Sequence, residues 1–153
     1  MDSIGALFTD FDVSAFLPEM DTFIGWIELV LRICVMAGPL ALLGFGMLYL
    51  LAPPKEANYS LGYRFYWSMA SLDAWQFTHR LVGFVWGATG LVLTVIMAFI
   101  CNAFRRMAPM TMVWWAVGCM IAQLVLIATA CIAINVRIMK TFDKDGFRRE
   151  ETA

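Results

Sequence analysis

Residues 58–83 read NYSLGYRFYWSMASLDAWQFTHRLVG and hold most of the chain's chemically capable side chains. Asn58, Arg64, Asp73, His79 and Arg80 lie there among Tyr, Phe and Trp rings. Arg64 and Arg80 bracket the segment, and a guanidinium can grip a phosphate or a carboxylate through two parallel N–H donors. Rings beside a cation suit a membrane–water boundary, with the ring at headgroup level and the charge toward phosphate. Trp67 and Trp75 would then set the depth of the segment. Gly62 marks a turn that needs a permissive backbone, and Asn58 is placed to cap it. Two uses fit these residues: anchoring the ends of two helices, or presenting a shaped surface at the membrane to a partner.

Catalysis fits poorly. His79 is the single histidine, so one chain offers no bis-histidine haem and no histidine-rich metal site. Ser71, Asp73 and His79 do not make a nucleophile–base set. Cys34, Cys101, Cys119 and Cys131 lie in apolar runs without CxxC spacing, where thiols act as small apolar residues. Asp143-Lys-Asp145-Gly146 echoes the start of a calcium loop but lacks the later ligands and the closing Glu, and reads as solvated tail. No cofactor and no metal is expected. The net charge of −1 without a basic stripe gives no reason to expect nucleic acid.

The elements that position the segment are membrane helices. The composition is 61% hydrophobic and 15% charged, too apolar for a soluble domain of 153 residues. Three runs reach the ~20 apolar residues that cross a bilayer: Ile33–Ala52, Leu81–Cys101 and about Val113–Ile134. The expected fold is all-α, an integral membrane bundle of three transmembrane helices with a short amphipathic segment before the second. The division is an acidic tail over 1–21, a membrane domain over 22–139, and a charged tail over 140–153. Spans are expected at about 22–52, 81–103 and 110–138, with a motif loop over 53–80. The acidic tail is either a short surface helix or disordered, and no Lys or Arg precedes Arg32, which argues against a signal peptide.

Pro53 and Pro54 stop the first helix. Ser71 is a candidate N-cap with Asp73 in the first turn. Leu72, Trp75 and His79 recur at helical spacing, as do Asp73, Gln76 and Arg80, so this stretch either lies on the surface or extends the second span. Asp21 or Thr22 is the expected start of the first helix. Pro39 should perturb that helix. Gly44 and Gly46 on it, with Gly83 and Gly87 on the second, make spans one and two the expected close pair. Gln123, Thr129 and Asn135 are candidates for hydrogen bonds between helices. Glu28 and Arg32 have the favourable i, i+4 order and form either an interfacial anchor or a polar site in the bundle. Transport would need a charge facing a cavity, and this pair is the one candidate. With the N-terminus outside, eight Lys or Arg fall on the cytoplasmic side and two outside, which favours a cytoplasmic motif loop and C-terminus.

Asn58, then Gly62-Tyr63-Arg64, Ser68, Ser71, Trp75 and the basic Arg80 before Gly83, set between two membrane helices, resembles the signature of the SdpI/YfhL family of small bacterial membrane proteins. The likeness covers about residues 36–100 and differs at Phe65, where a small residue is usual, and at His79, where an amide is usual. It implies a non-enzymatic protein of the bacterial cell membrane, acting in immunity to a toxic peptide or in signalling through a cytoplasmic regulator. Asn58, Gly62, Tyr63, Arg64, Trp75 and Arg80 are the implied binding residues. Partners would be the lipid bilayer and such a peptide or regulator, with a homo-oligomer possible. The alternative is an accessory subunit of a larger membrane complex, since Met and small residues suit lateral packing.

Overall fold

The computed structural model describes residues 13–55 and 62–149. Three long helices dominate: α1 (Val13–Leu51), α2 (Leu72–Ala103) and α3 (Pro109–Thr141). They contain 39, 32 and 33 residues, which at about 1.5 Å per residue makes each longer than a bilayer's apolar core. All three are long and apolar enough to span a membrane. No strand occurs among the described residues; one isolated bridge joins Phe142 and Arg148. The protein is an all-α, multi-pass membrane bundle.

α1 begins at Val13, about two turns before Asp21, because extending a formed helix costs far less than nucleating one. α2 begins at Leu72 and runs unbroken to Ala103. The stretch read as amphipathic is therefore the first turns of that helix and not a separate surface element. Ser71 caps it, its Oγ accepting the Ala74 N–H at 3.1 Å. A 3-10 turn over Tyr66–Met69 precedes the cap, and another over Phe104–Arg106 leads tightly into α3, which has Pro109 in its first turn.

The α1–α2 contact is a seam of small residues. A Cβ on Gly46 would strike the backbone of Gly87, and one on Gly90 would strike that of Leu43. A Cβ on Gly83 would come 3.0 Å from Leu50 Cγ, whereas nothing lies within 4 Å of a Cβ at Gly44. Gly46, not Gly44, thus makes the close approach from α1. In lipid, such contact replaces the hydrophobic effect as the force between helices.

α3 joins through polar contacts as well as packing. Pro39 has no N–H, so the Val35 carbonyl one turn earlier loses its helical partner. The Gln123 amide of α3 supplies one, its Nε2 donating to Val35 O at 3.1 Å. Gly38 leaves room for that amide, since a Cβ there would come 2.8 Å from Oε1. α3 is otherwise the most open helix: 17% of its most apolar stretch is buried, against 28% for α1 and for α2.

Two cores result. One gathers Val35, Leu93, Met97, Cys101, Phe104, Met112, Ala116 and Cys119 at the end holding the α2–α3 connection. The other gathers Tyr49, Ala74, Val82, Ile134, Ile138 and Phe142 under the motif loop.

Candidate functional site

The loop that leaves α1 folds back onto the first turns of α2. Trp75 and His79, one turn apart, are both fully buried, and their rings lie 4.2 Å apart. They receive the loop at two points. The Trp75 indole Nε1 donates to Pro54 O at 2.9 Å, just after α1 ends. Tyr63 N–H donates to His79 Nε2 at 3.0 Å. The other imidazole nitrogen, Nδ1, sits 2.8 Å from Trp75 O. A carbonyl can only accept, so Nδ1 carries the hydrogen and Nε2 is bare, which makes His79 neutral.

Gly62 makes this approach possible. Its φ of +146° lies where L side chains rarely go. A Cβ there would also come 2.6 Å from Trp75 Cη2 and 2.9 Å from His79 Nε2. The Gly-Tyr pair is thus a backbone pressed onto two rings, with the next N–H aimed at a nitrogen lone pair. After Arg64, Ser68 closes the 3-10 turn: its Oγ accepts from Phe65 N–H at 3.0 Å and donates to Phe65 O at 2.7 Å.

The Tyr63 side chain crosses to α3. Its hydroxyl donates to Asn135 Oδ1 at 2.8 Å and passes Cys131 O at 3.4 Å. Burial, reinforced by neighbouring Cys131, pushes the phenol up to about 12, so it remains a donor at any ordinary pH. The Tyr63 ring meets Trp86 edge-on at 5.8 Å. Tyr49 of α1 meets His79 edge-on at 5.1 Å. One tyrosine from the loop and one from α1 therefore join all three helices around the imidazole.

The C-terminal segment closes this end: Lys144 and Asp145 are exposed, as a solvated tail requires, but Gly146 is buried and the segment docks through its flanks. Phe142 is wholly buried and meets Phe77 at 5.5 Å. Asp143 Oδ1 accepts from Asp145 N–H at 3.1 Å and Phe147 N–H at 2.8 Å. Gly146 takes φ +81°, and its carbonyl accepts from Ser71 Oγ at 2.7 Å. Arg148 grips Asp73 in a fork, Nε to Oδ2 at 2.7 Å and a terminal nitrogen to Oδ1 at 3.1 Å. Its guanidinium also lies 5.9 Å from the Phe77 ring and 5.7 Å from that of Phe142. The Asp73 carboxylate raises the Arg148 pKa further. The acidic residues resembling a calcium loop are an Asx turn that seats a hairpin on the start of α2. Among the described residues, no group of three or more His, Cys, Asp or Glu converges as metal ligands do.

Of the residues singled out, Gly62, Tyr63 and Trp75 meet in this cluster. Trp75 is a buried tie and not an exposed depth marker, because its indole is satisfied by Pro54. Arg64 and Arg80 are exposed, each following one partner of the Tyr63–His79 hydrogen bond. Asn58 lies outside the described residues. Sequence reasoning missed the parts played by His79 and Asn135 in holding the loop, and the C-terminal hairpin. A groove of about 440 Å³ runs between the 3-10 turn and that hairpin, lined by Tyr66, Met69, Ala70, Lys144 and Asp145. At the opposite end Glu28 and Arg32 pair with each other within α1.

No curated protein and no solved structure matches the chain. A model of the SdpI/YfhL protein family matches residues 55–135, just over half of the 153 residues. The matched span runs from the motif loop through α2 to Asn135, the α3 residue that Tyr63 reaches. On that match the chain belongs to the SdpI/YfhL protein family.

Proposed function

We propose that the protein is non-enzymatic and acts through the motif end of its bundle, in immunity to a membrane-active toxic peptide or in signalling to a cytoplasmic regulator. The observation carrying this reading is the Gly62–Tyr63 turn locked onto Trp75 and His79, which leaves Arg64 and Arg80 exposed beside it. A binding surface needs its recognition groups held on a rigid support, and exposed guanidinium groups suit a carboxylate or phosphate. The groove between the 3-10 turn and the C-terminal hairpin adds an edge for an apolar side chain. Lys55, Arg64, Arg80, Arg137, Lys140, Lys144, Arg148 and Arg149 all belong to this end of the chain's path, against Arg32, Arg105 and Arg106 at the other. This imbalance favours a cytoplasmic motif end and an outward N-terminus in the bacterial cell membrane.

The test has two arms. A toxin-sensitive host expressing the protein alone should survive a membrane-active killing peptide, and Arg64→Ala with Arg80→Ala should remove that protection at unchanged protein level. Detergent pull-downs with the same variants should lose a cytoplasmic partner if signalling is the role. Retention of both protection and partner would refute a role for this surface.

A second reading, an accessory subunit of a larger complex, is favoured by α3. Trp114, Leu124, Val125 and Ile132 are 60–70% exposed along its outer side. An accessory subunit should co-purify with another membrane chain and degrade without it; stable accumulation alone would exclude this.

A further inference from the structure

We infer that His79 is a proton-operated latch: in its neutral form it holds the Gly62–Arg64 turn against α2, and taking up a proton at Nε2 releases it. The hydrogen bonds carry the inference. Nδ1 must keep its hydrogen for Trp75 O, so the bare nitrogen facing Tyr63 N–H is the only place a proton can add. Once it does, two N–H donors face each other at the 3.0 Å now occupied by a hydrogen bond. The turn has no slack to accommodate this. Gly62 already sits where even one carbon would strike the Trp75 and His79 rings.

Among the described residues, the surroundings offer the imidazolium little compensation. α1 contributes the Tyr49 ring, edge-on. α2 contributes Trp75 and, next in the chain, the exposed cation Arg80. The loop contributes Gly62, Tyr63 and the exposed cation Arg64. α3 approaches through Asn135 and Cys131, both taken up by the Tyr63 hydroxyl. The carboxylate on these first turns, Asp73, is held by Arg148. No described carboxylate faces the ring. A buried cation without an anionic partner is costly, so protonation and departure of the turn go together. The Tyr63 phenol does not titrate in the same range, so a response to mild acid would belong to the imidazole. The sign follows. Neutral His79 is the form that the fold satisfies, so the latch is closed at neutral pH and opens as pH falls.

His79 is the only histidine of the chain, so selective ¹⁵N labelling of histidine, in protein purified by a histidine-free tag, reports on this ring alone. At about pH 8 the spectrum should show protonated Nδ1 and a hydrogen-bonded, unprotonated Nε2. Lowering the pH to about 5 should protonate Nε2 and, in parallel, mobilise a spin label on Arg64→Cys in a background otherwise free of cysteine. His79→Gln supplies an acceptor and a donor without titrating, so its label should stay immobile at both pH values. His79→Phe removes the acceptor, so its label should be mobile at both. The inference fails if the opposite tautomer is found, if the wild-type label is indifferent to pH, or if His79→Gln keeps the same response. Should His79→Gln fail to fold, the ring spectrum and the wild-type label decide between these outcomes.

Discussion

The two ends of the bundle are built on different principles. At the motif end, Trp75, His79, Tyr63, Ser68, Ser71 and Asn135 make directional hydrogen bonds, and each aims a particular atom at a particular partner. At the far end the core is mostly apolar: Leu93, Met97, Phe104, Met112 and Ala116 meet by shape, and Val35 adds a single hydrogen bond, its carbonyl accepting from Gln123. The main polar group there, Glu28 with Arg32, pairs within α1 and need not reach another helix. Each end also carries a groove of about 400 Å³ or slightly more. The far one is lined by Met97, Ile100, Trp114, Trp115 and Cys119; the near one includes Lys144 and Asp145. Hydrogen-bond direction thus specifies the loop, and close packing specifies the helices. The two ends should therefore fail to different substitutions.

The largest expected effect tests the seam joining the ends. Gly46→Val places two methyl groups against the Gly87 backbone, so α1 and α2 must separate, at a cost of about 3 kcal/mol or more. Gly118→Ala at the far end meets nothing within 4 Å and should stabilise by up to about 1 kcal/mol through helix propensity. Thermal unfolding in detergent compares the two; equal effects would mean that the seam is not the organising contact. Next in size is polarity at constant bulk. His79→Phe orphans the Tyr63 N–H and should cost about 1–3 kcal/mol. Met97→Leu in the far core conserves volume and should cost under about 1.5 kcal/mol. A far end equally sensitive to such swaps would erase the distinction.

What the sequence made legible follows the same division. Charge-free runs such as Ile33–Ala52 announce spans by hydropathy alone, so the helix count needed no tertiary knowledge. The seam was half legible. Gly46 and Gly87 read correctly as small residues for close approach, but Gly44 did not, because two residues earlier on the helix it points away from that face. Pro39 and Gln123 each stand out in the sequence, yet their meeting through Val35 O depends on a contact between residues 88 apart, which no local pattern encodes. His79 stood at helical spacing from Trp75 and as the only histidine, but its partner is a backbone N–H, which leaves no trace in residue type. The tail was legible in its charges and not in its docking. Charges at Asp143, Lys144 and Asp145 read as solvated, while Phe142 and Gly146 carried the docking signal.

Smaller effects sharpen the contrast further. Tyr63→Phe removes the hydroxyl from Asn135 and should cost about 0.5–1.5 kcal/mol. A double-mutant cycle with Asn135→Ala should return most of that as coupling. The smallest expected effect concerns the hairpin. Asp73 and Arg148 are 56% and 60% exposed at the side chain, and exposed pairs contribute little because water and salt screen them. Asp73→Asn should therefore leave the unfolding temperature almost unchanged. It should nonetheless free the hairpin locally, since the remaining hold on α2 is Ser71 Oγ on Gly146 O together with Phe142 on Phe77. A spin label on Lys144→Cys should gain mobility in that variant, and adding about 1 M salt to the wild type should reproduce part of the gain. If salt and Asp73→Asn both leave the label unmoved, then Phe142 and Ser71 suffice to seat the hairpin. The exposed ion pair would then add nothing to the seating of the tail, which would rest on one buried ring and one directional hydrogen bond, Ser71 Oγ to Gly146 O, as the loop rests on its own.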